Sequence, residues 1–290
     1  MIKISKAERA FDIVNNIVLG MLALTMLLPF LNVLAKSLSS ETAVNMGIVG
    51  IFPMGLQFGT YKYVLTQSQF INSFKVSVFI TVVGNILSML MTVICAYPLS
   101  KPHLRGRRVF MLIYIFTMLF SGGIVPNYLL MKGLNLLNTV WVLILPSMLS
   151  VFNMIVVKTF FEELPESVEE SARMDGASNF TVLFRIILPM SLPVLASVGL
   201  FYAVSFWNSY FRAVMYITKP SLKPLQQYLY DMVTQSLNSD SAGNVDRAMN
   251  MAPDAIRSAT IMVSTLPIFC LYPFLQKYFV KGITIGSVKG

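Results

Sequence analysis

Long apolar runs separated by short polar segments dominate this chain. Six runs contain no Asp, Glu, Lys or Arg and are long enough to cross a hydrocarbon core of about 30 Å, which takes about 20 helical residues. The runs occupy residues 13–35, 76–99, 109–131, 133–157, 186–211 and 258–276. Their hydrophobicity is continuous, whereas the strands of a membrane barrel alternate. The pattern predicts an all-α polytopic membrane protein with six transmembrane helices in one domain over 1–290. A seventh charge-free run, 42–61, contains several glycines and Pro53, so we predict an external loop there.

Composition and charge agree with this picture and orient the helices. Only 12% of the residues are charged, against about 25% in a soluble domain. A basic turn at 101–108 follows the second run, and positive charge concentrates on the cytoplasmic side of membrane proteins. We therefore predict that this turn and both termini are cytoplasmic and that the long hydrophilic stretch 218–257 is an external loop. Orientation in a membrane of anionic lipid accounts for the net charge of +9, so no nucleic-acid partner is expected.

The chain lacks the residues that several functional classes require. The chain has no G-x-x-x-x-G-K-[ST] loop, so it cannot hold ATP in the P-loop manner. The single histidine, His103, lies in the basic turn and has no Cys/His cluster around it, which excludes a catalytic triad and argues against a metal site. Proton- and sodium-driven transporters normally keep ionisable groups at membrane depth, and the six runs have none. The energy for any transport is therefore expected from outside the chain.

A charged stretch at 162–189, called the polar segment below, separates the fourth and fifth runs. Pro165 and the glutamates that follow it suit the start of a helix, because the helix dipole favours anions there. Gly176 suits a turn, and Ser178 or Asn179 suits the N-cap of a second short helix. Charge alone would fit an ordinary solvated loop. The order of the residues instead favours a surface that another protein grips.

The order of residues in the polar segment resembles a known motif. The stretch E-S-A-R-M-D-G-A from Glu170, followed by Leu188-Pro189, resembles the EAA loop of ABC-importer permeases, which docks on the ATPase subunit. Ser171 replaces the usual second alanine. The resemblance implies these ATPase-coupling residues: Glu169, Glu170, Ser171, Ala172, Asp175, Gly176, Ala177, Leu188 and Pro189.

The resemblance extends along nearly the whole chain. The motifs N-S at 72–73, A-Y-P-L-S-K at 96–101, P-N-Y at 126–128, G-L-N-L-L-N-T at 133–139 and F-W-N-S-Y at 206–210 are similar to those of the sugar-uptake class, in its complex-oligosaccharide branch. This implies a type I ABC-importer permease fold in the bacterial inner membrane. It implies four kinds of partner: a second permease, two ATPase subunits, an external solute-binding protein and an oligosaccharide. ATP and Mg would lie on the ATPases, with no cofactor on this chain, and the 218–257 segment would contact the binding protein.

Aromatic and amide side chains near the fifth run are the candidates for a sugar pathway. Sugars are bound by aromatic faces together with amide and hydroxyl groups. The candidates are Trp207, Asn208, Tyr210, Tyr202, Asn85 and Asn153. Two other readings stay open, because Trp and Tyr gather at membrane interfaces and an intramembrane Asn often bonds to a neighbouring helix. The sequence does not name the sugar, and Arg212 alone does not establish an anionic substrate.

Two other functional classes remain as alternatives. An ion-coupled secondary transporter of small polar solutes would carry an internal repeat and an ion site, and neither is visible in the sequence. A polytopic membrane enzyme would need a catalytic constellation that the chain lacks. The sequence therefore favours a non-catalytic permease.

Overall fold

The computed structural model describes residues 6–238 and 252–286, and every regular element within them is helical. The α-helices are Lys6–Leu38, Glu41–Asn45, Gly59–Thr66, Ser68–Ser100, Arg107–Leu119, Ile124–Gly133, Trp141–Ile144, Val151–Glu162, Glu166–Met174, Asn179–Val182, Leu188–Met190, Leu192–Trp207, Tyr210–Tyr216, Leu225–Asn238 and Pro253–Gly286. Two 3₁₀ turns span Leu145–Ser147 and Pro220–Leu222, and a π-helical turn spans Leu183–Ile187. The prediction of an all-α fold is confirmed.

The chain divides into two compact units, and each has its own packing. The first takes its described residues from Met1–Phe70 and Leu229–Leu266. Its buried cluster consists of small side chains: Ala35, Ala43, Val44, Val49, Ala252 and Ala255. Asn32 holds the loop after the first helix, since its Nδ2 donates to the carbonyls of Val49 and Gly50 at 3.2 and 2.8 Å. Short side chains let these backbones approach closely, as is usual between membrane helices.

The second unit, Ile71–Tyr228 with Pro267–Gly290, contains two apolar clusters. One includes Tyr97, Phe161, Ile187 and Phe206, and lies where the polar segment meets the membrane helices. The other gathers Ile80, Met131, Val142, Leu143, Ile144, Ala213, Tyr216 and Ile217. The first of these clusters fixes the polar segment against the rest of the unit.

Three of the six predicted spans are broken instead of straight. Within the described residues, Phe11–Leu38 and Ser68–Ser100 are each long and apolar enough to cross a membrane alone. Three helix pairs reach that length only together, and they bend by 110° around 120–123, by 48° around 148–150 and by 83° at Ser191. Counting each pair as one span gives five, and the last predicted run, 258–276, lies inside Pro253–Gly286. The count of six stays a prediction.

The breaks follow from local backbone chemistry. Gly123, which directly precedes the helix Ile124–Gly133, has φ 85°, a conformation that glycine adopts without strain. Pro146 lies near the end of Trp141–Ser147, the first half of the second pair, and Pro189 and Pro193 flank the break at Ser191. Proline removes a backbone donor and interrupts the ladder of helical hydrogen bonds. Apolarity alone therefore did not reveal the bends.

The predicted external segment 218–257 is more regular than its composition suggests. Leu225–Asn238 forms a helix, which begins after Pro224 and whose first N–H, that of Leu225, donates to Ser77 Oγ at 2.7 Å. Residues 239–251 of this segment lie outside the described residues. The run 42–61, predicted as a loop, contains the short helix Glu41–Asn45 capped by Ser40 and the start of Gly59–Thr66.

Candidate functional site

The polar segment folds as two short helical pieces joined by a tight turn. The first piece, Glu166–Met174, begins after Pro165, whose backbone is extended (ψ 123°). Pro165 therefore precedes the helix and is not in its first turn. Gly176 has φ 81° and ends the turn, and Ser178 caps the second piece by accepting from Thr181 N–H at 3.2 Å. The predicted helix–turn–helix order of this segment is what the structure contains.

Ion pairs tie the polar segment to the basic turn at 101–108. Lys101 Nζ donates to Glu169 Oε1, and Arg107 Nη2 donates to Glu162 Oε1. Lys158 completes the set at 2.7 Å from Glu162 Oε2. The Glu169 side chain is only 12% exposed, so this pair is shielded from solvent more than a surface pair. The two segments therefore lie on the same side of the second unit.

The remaining predicted coupling residues divide between surface and interior. Those that are exposed are Glu170, Ser171, Asp175, Gly176 and Pro189, and those that are half-buried are Glu169, Ala172, Ala177 and Leu188. Apolar side chains lie among the exposed charges: Met174 is 88% exposed and Phe180 is 76% exposed. We call Glu170, Met174, Asp175 and Phe180 the coupling surface. Large exposed apolar groups next to charges are typical of a protein interaction site.

Behind this surface, buried side chains hold the second piece. Val182 and Ile187 are almost fully buried and pack in the cluster that contains Phe161. The Ser171 hydroxyl donates to the Ser167 carbonyl at 2.8 Å, so it is satisfied within its own helix. The segment is therefore anchored on one face by apolar packing and ion pairs, and the side chains of the coupling surface are exposed.

A second candidate site is a cavity of about 470 Å³ at a helix break in the second unit. Its lining consists of Ser147, Leu149, Ser150, Phe152, Asn153, Phe201, Tyr202, Ser205 and Arg212. The cavity lies beside the break at 148–150, where backbone polar groups leave the helical ladder. Non-helical backbone at membrane depth is tolerated where it lines a water-filled cavity. We call this the polar cavity.

Hydrogen bonds fix two of the predicted pathway residues in the lining of the polar cavity. The Tyr202 hydroxyl accepts from Ser150 N–H at 2.9 Å and lies 2.8 Å from Thr92 Oγ1. Asn153 follows Ser150, the N-cap of Val151–Glu162, and its N–H donates to Ser150 Oγ at 3.4 Å. The structure therefore brings Tyr202 and Asn153 together, although they are far apart in sequence.

The other four predicted pathway residues lie elsewhere. Trp207 is buried, packs edge-on against Phe74 at 6.1 Å between ring centroids, and lines a separate apolar cavity. Asn208 is exposed and its Oδ1 accepts from Gln226 Nε2 at 3.3 Å. Tyr210 begins the helix that carries Arg212, and Asn85 has its Oδ1 buried without a hydrogen-bond partner. The segment 206–210 thus does not act as one aromatic patch, because its helix ends at Trp207 and the side chains diverge.

The pathway residues predicted from the sequence did not include the arginine and serines that line the polar cavity. Ser147, Ser205 and Arg212 lie in three separate helical pieces, and Ser150 is the N-cap of a fourth. A spacing of three residues joins Ser150 to Asn153 and Tyr202 to Ser205, which puts each pair on one helix face. That spacing was visible in the sequence, but the meeting of the pairs depends on the packing of Val151–Glu162 against Leu192–Trp207, where Ser150 bonds to Tyr202.

Comparison with known proteins decides the family. Residues 72–285 match the family model described as "Binding-protein-dependent transport system inner membrane component". The chain belongs to this family. It is a permease subunit of an ABC transporter, and as such a non-catalytic membrane component. The resemblance that the polar segment and the other motifs suggested is confirmed, and so is the type I importer fold.

Named relatives match over nearly the full chain. Protein LplC of Bacillus subtilis is 45% identical over 99% of this chain and 97% of its own. The polygalacturonan/rhamnogalacturonan transport system permease protein YtcP of the same bacterium is 40% identical over 98% and 99%. A chain of a solved bacterial ABC transporter involved in the import of the acidic polysaccharide alginate superposes with a TM-score of 0.88 and 36% identity, covering 95% and 98% of the two chains.

Proposed function

We propose that this permease subunit imports oligosaccharides and couples to ATPase subunits through its polar segment. A second permease would complete the pathway, two ATPases would supply the energy, and an external binding protein would deliver the sugar. The carbohydrate named for YtcP and for the alginate transporter supports the substrate class. The lining of the polar cavity supports it too, since hydroxyl, amide and aromatic groups are what a sugar requires.

The observation that carries the coupling proposal is the difference in exposure between the side chains of Glu169 and Glu170. Glu169 is turned inward and paired with Lys101, whereas Glu170 is exposed beside Met174. One face of the segment is thus held by the rest of the unit, and the opposite face exposes both apolar and acidic side chains. Such a face suits a groove that contains basic and apolar groups in a partner protein.

The orientation that follows puts the polar segment and the basic turn in the cytoplasm. The ion pairs Lys101–Glu169 and Arg107–Glu162 support this, because they require the two segments to share one side. The positive charge of the turn favours the cytoplasmic side. ATP is available there, which agrees with a role in coupling.

Charge reversal at Glu170 tests the coupling proposal. In a reconstituted complex with its binding protein, we expect Glu170→Lys to lose nearly all uptake and Glu170→Gln to keep part of it. An exposed pair contributes only about 0.2–1 kcal/mol, whereas a like charge in a poorly solvated groove costs far more. Uptake and binding-protein-stimulated ATP hydrolysis are measured side by side, together with co-elution of the ATPase.

A matched control makes the same change outside the coupling surface. Glu163 is exposed at the end of Val151–Glu162, and we expect Glu163→Lys to transport like the parent. Parent-like uptake by Glu170→Lys would remove Glu170 from the contact. Uptake that continues in the absence of any ATPase, driven by an ion gradient, would favour a secondary transporter instead.

A further inference from the structure

Arg212 lies where two cavities of the second unit meet. It lines the polar cavity and a second cavity of about 340 Å³, and Ser147 is the other residue common to both linings. The second cavity is lined by Ser121, Gly123, Ile124, Asn127, Met131, Pro146, Ser147, Phe211, Arg212, Met215 and Tyr216. Neither lining, as the structure describes it, contains an Asp or a Glu. A cation therefore stands between two cavities that offer it no counter-charge.

The hydrogen bonds of Arg212 leave part of its guanidinium unsatisfied. Nη1 donates to Ser147 Oγ, and Nη2 donates to the Ser205 carbonyl at 3.4 Å. Nε is buried and has no partner among the described residues. A guanidinium carries five N–H donors and keeps its charge in proteins. Both hydrogen bonds of Arg212 go to neutral oxygens, and its guanidinium carbon lies 6.0 Å from the centroid of the Phe206 ring. Dipoles and a cation–π contact therefore stabilise its positive charge, with no opposite charge among the described residues.

Three other cations of the second unit have carboxylate partners. Lys101, Arg107 and Lys158 each have a glutamate within ion-pair distance. No carboxylate of the described residues forms an ion pair with Arg212. A partly buried charge without an opposite charge is costly. An anionic ligand in the cavity would offset this cost and would satisfy the free donors.

The surroundings of Arg212 add the features of a sugar site. Phe152 is 55% exposed and lines the cavity, which offers an aromatic face to a sugar ring, and Phe201 is a second aromatic residue of the lining. Asn153 and Ser150 supply amide and hydroxyl groups. The planar fork of a guanidinium matches a carboxylate better than a lone hydroxyl.

We infer that the polar cavity takes an acidic oligosaccharide, with Arg212 binding the carboxylate of a uronic acid residue. This inference rests on the proposed function and narrows its substrate class. Arg212 is the specificity-determining residue, because a neutral sugar would leave its charge and its Nε donor unsatisfied. The neighbouring cavity extends the binding region beyond a single sugar residue.

The substrate class is tested with the complete transporter in proteoliposomes, supplied with its binding protein. The probes are trimers of galacturonate, glucuronate, mannuronate and guluronate, together with the neutral trimers maltotriose and cellotriose. We expect uptake of at least one uronate trimer and none of the neutral ones. Uptake of a neutral trimer but no uronate trimer overturns the inference and leaves the proposed function intact. Uptake of neither kind overturns both.

The residue assignment is tested with the accepted uronate trimer and an unchanged binding protein. We expect Arg212→Gln to lower uptake at least about tenfold, since hydrogen bonds to charged groups are the stronger ones. Arg212→Lys should keep part of the uptake, because it retains the charge but not the fork. Binding-protein-stimulated ATP hydrolysis should persist in both variants, which shows that the complex still assembles.

A matched control and two contrary outcomes complete the design. Arg108 is exposed and lines neither cavity, so Arg108→Gln should transport like the parent. Parent-like uptake by Arg212→Gln removes Arg212 from the binding site. Parallel loss of uptake and hydrolysis in both Arg212 variants shows a purely structural role, which equally overturns the assignment.

Discussion

Two adjacent glutamates of the polar segment have different surroundings, although their side chains are chemically identical. Glu169 accepts from Lys101 and is 12% exposed, whereas the next residue, Glu170, faces solvent. A helix turns by about 100° per residue, so adjacent side chains cannot share a face. The same rule separates Tyr202, which lines the polar cavity, from Trp207, which packs on Phe74. Residue identity therefore indicated candidates, and helical phase distinguished among them.

Gly176 gives the sharpest prediction at the residue scale. Its φ of 81° costs a residue with a Cβ roughly 1–2 kcal/mol, and a β-branched residue more. We expect Gly176→Val to weaken ATPase co-elution and uptake together while membrane insertion is normal. Gly176→Asn should be milder, because Asn tolerates this conformation.

The reason for the Gly176 effect is strain and not a clash within the chain. No heavy atom lies within 4 Å of the position that a Cβ would take. If Gly176→Trp is harmful beyond the effect of Gly176→Val, the extra steric limit comes from the partner protein. Equal co-elution of the ATPase with the Val, Asn and parent proteins would contradict a role for the positive φ.

At the scale of secondary-structure elements, the basic turn and the polar segment are held together by direct contacts. The basic turn 101–108 and the polar segment come from distant parts of the sequence, yet two ion pairs and the cluster containing Tyr97 and Phe161 join them. Lys101 also lies 4.8 Å from the centroid of the Tyr97 ring, which adds a cation–π contact. The orientation of the coupling surface thus depends on a turn that has none of the motif's residues.

Charge exchange tests this dependence. We expect Lys101→Glu to lower transport several-fold, because it places two carboxylates together in a partly shielded site and costs about 1–3 kcal/mol. Glu169→Lys should have a similar effect. The double variant Lys101→Glu/Glu169→Lys should recover much of the loss, as measured by uptake and by ATPase co-elution.

A control and a contrary result follow from the same pair. Arg105 is exposed in the same turn, and Arg105→Glu should change transport little. A double variant no better than the worse single variant would show that the pair does not orient the segment.

At the scale of the whole molecule, apolar surface exceeds what the described chain buries. The residues of Phe11–Leu38 that form its most apolar window are not buried at all within the structure. Surface of this kind requires lipid or a partner subunit. That requirement agrees with a membrane permease, and it explains why the sequence reads so clearly as a membrane protein.

Orientation is tested by cysteine labelling from one side of the membrane. An impermeant thiol reagent on intact cells should label Lys219→Cys, in the predicted external segment, and should miss Arg105→Cys. Both positions are exposed in the structure. After permeabilisation, both should react. The opposite pattern in intact cells would invert the topology and put the polar segment on the outer side, away from ATP.

The local sequence was sufficient for the class of the molecule and for the order of the polar segment, and the resemblance of its motifs indicated the family. Runs without charge have few alternatives to membrane helices, and Pro165, Gly176 and Ser178 act on the backbone within a residue or two of their own positions. Glycine and proline mark where three of the helices break, but the size of each bend and the meeting of Arg212 with Asn153 and Tyr202 could not be read in this way. They arise where separate helical pieces pack, and the contacts that fix them join residues as much as 110 positions apart, as Thr92 and Tyr202 do.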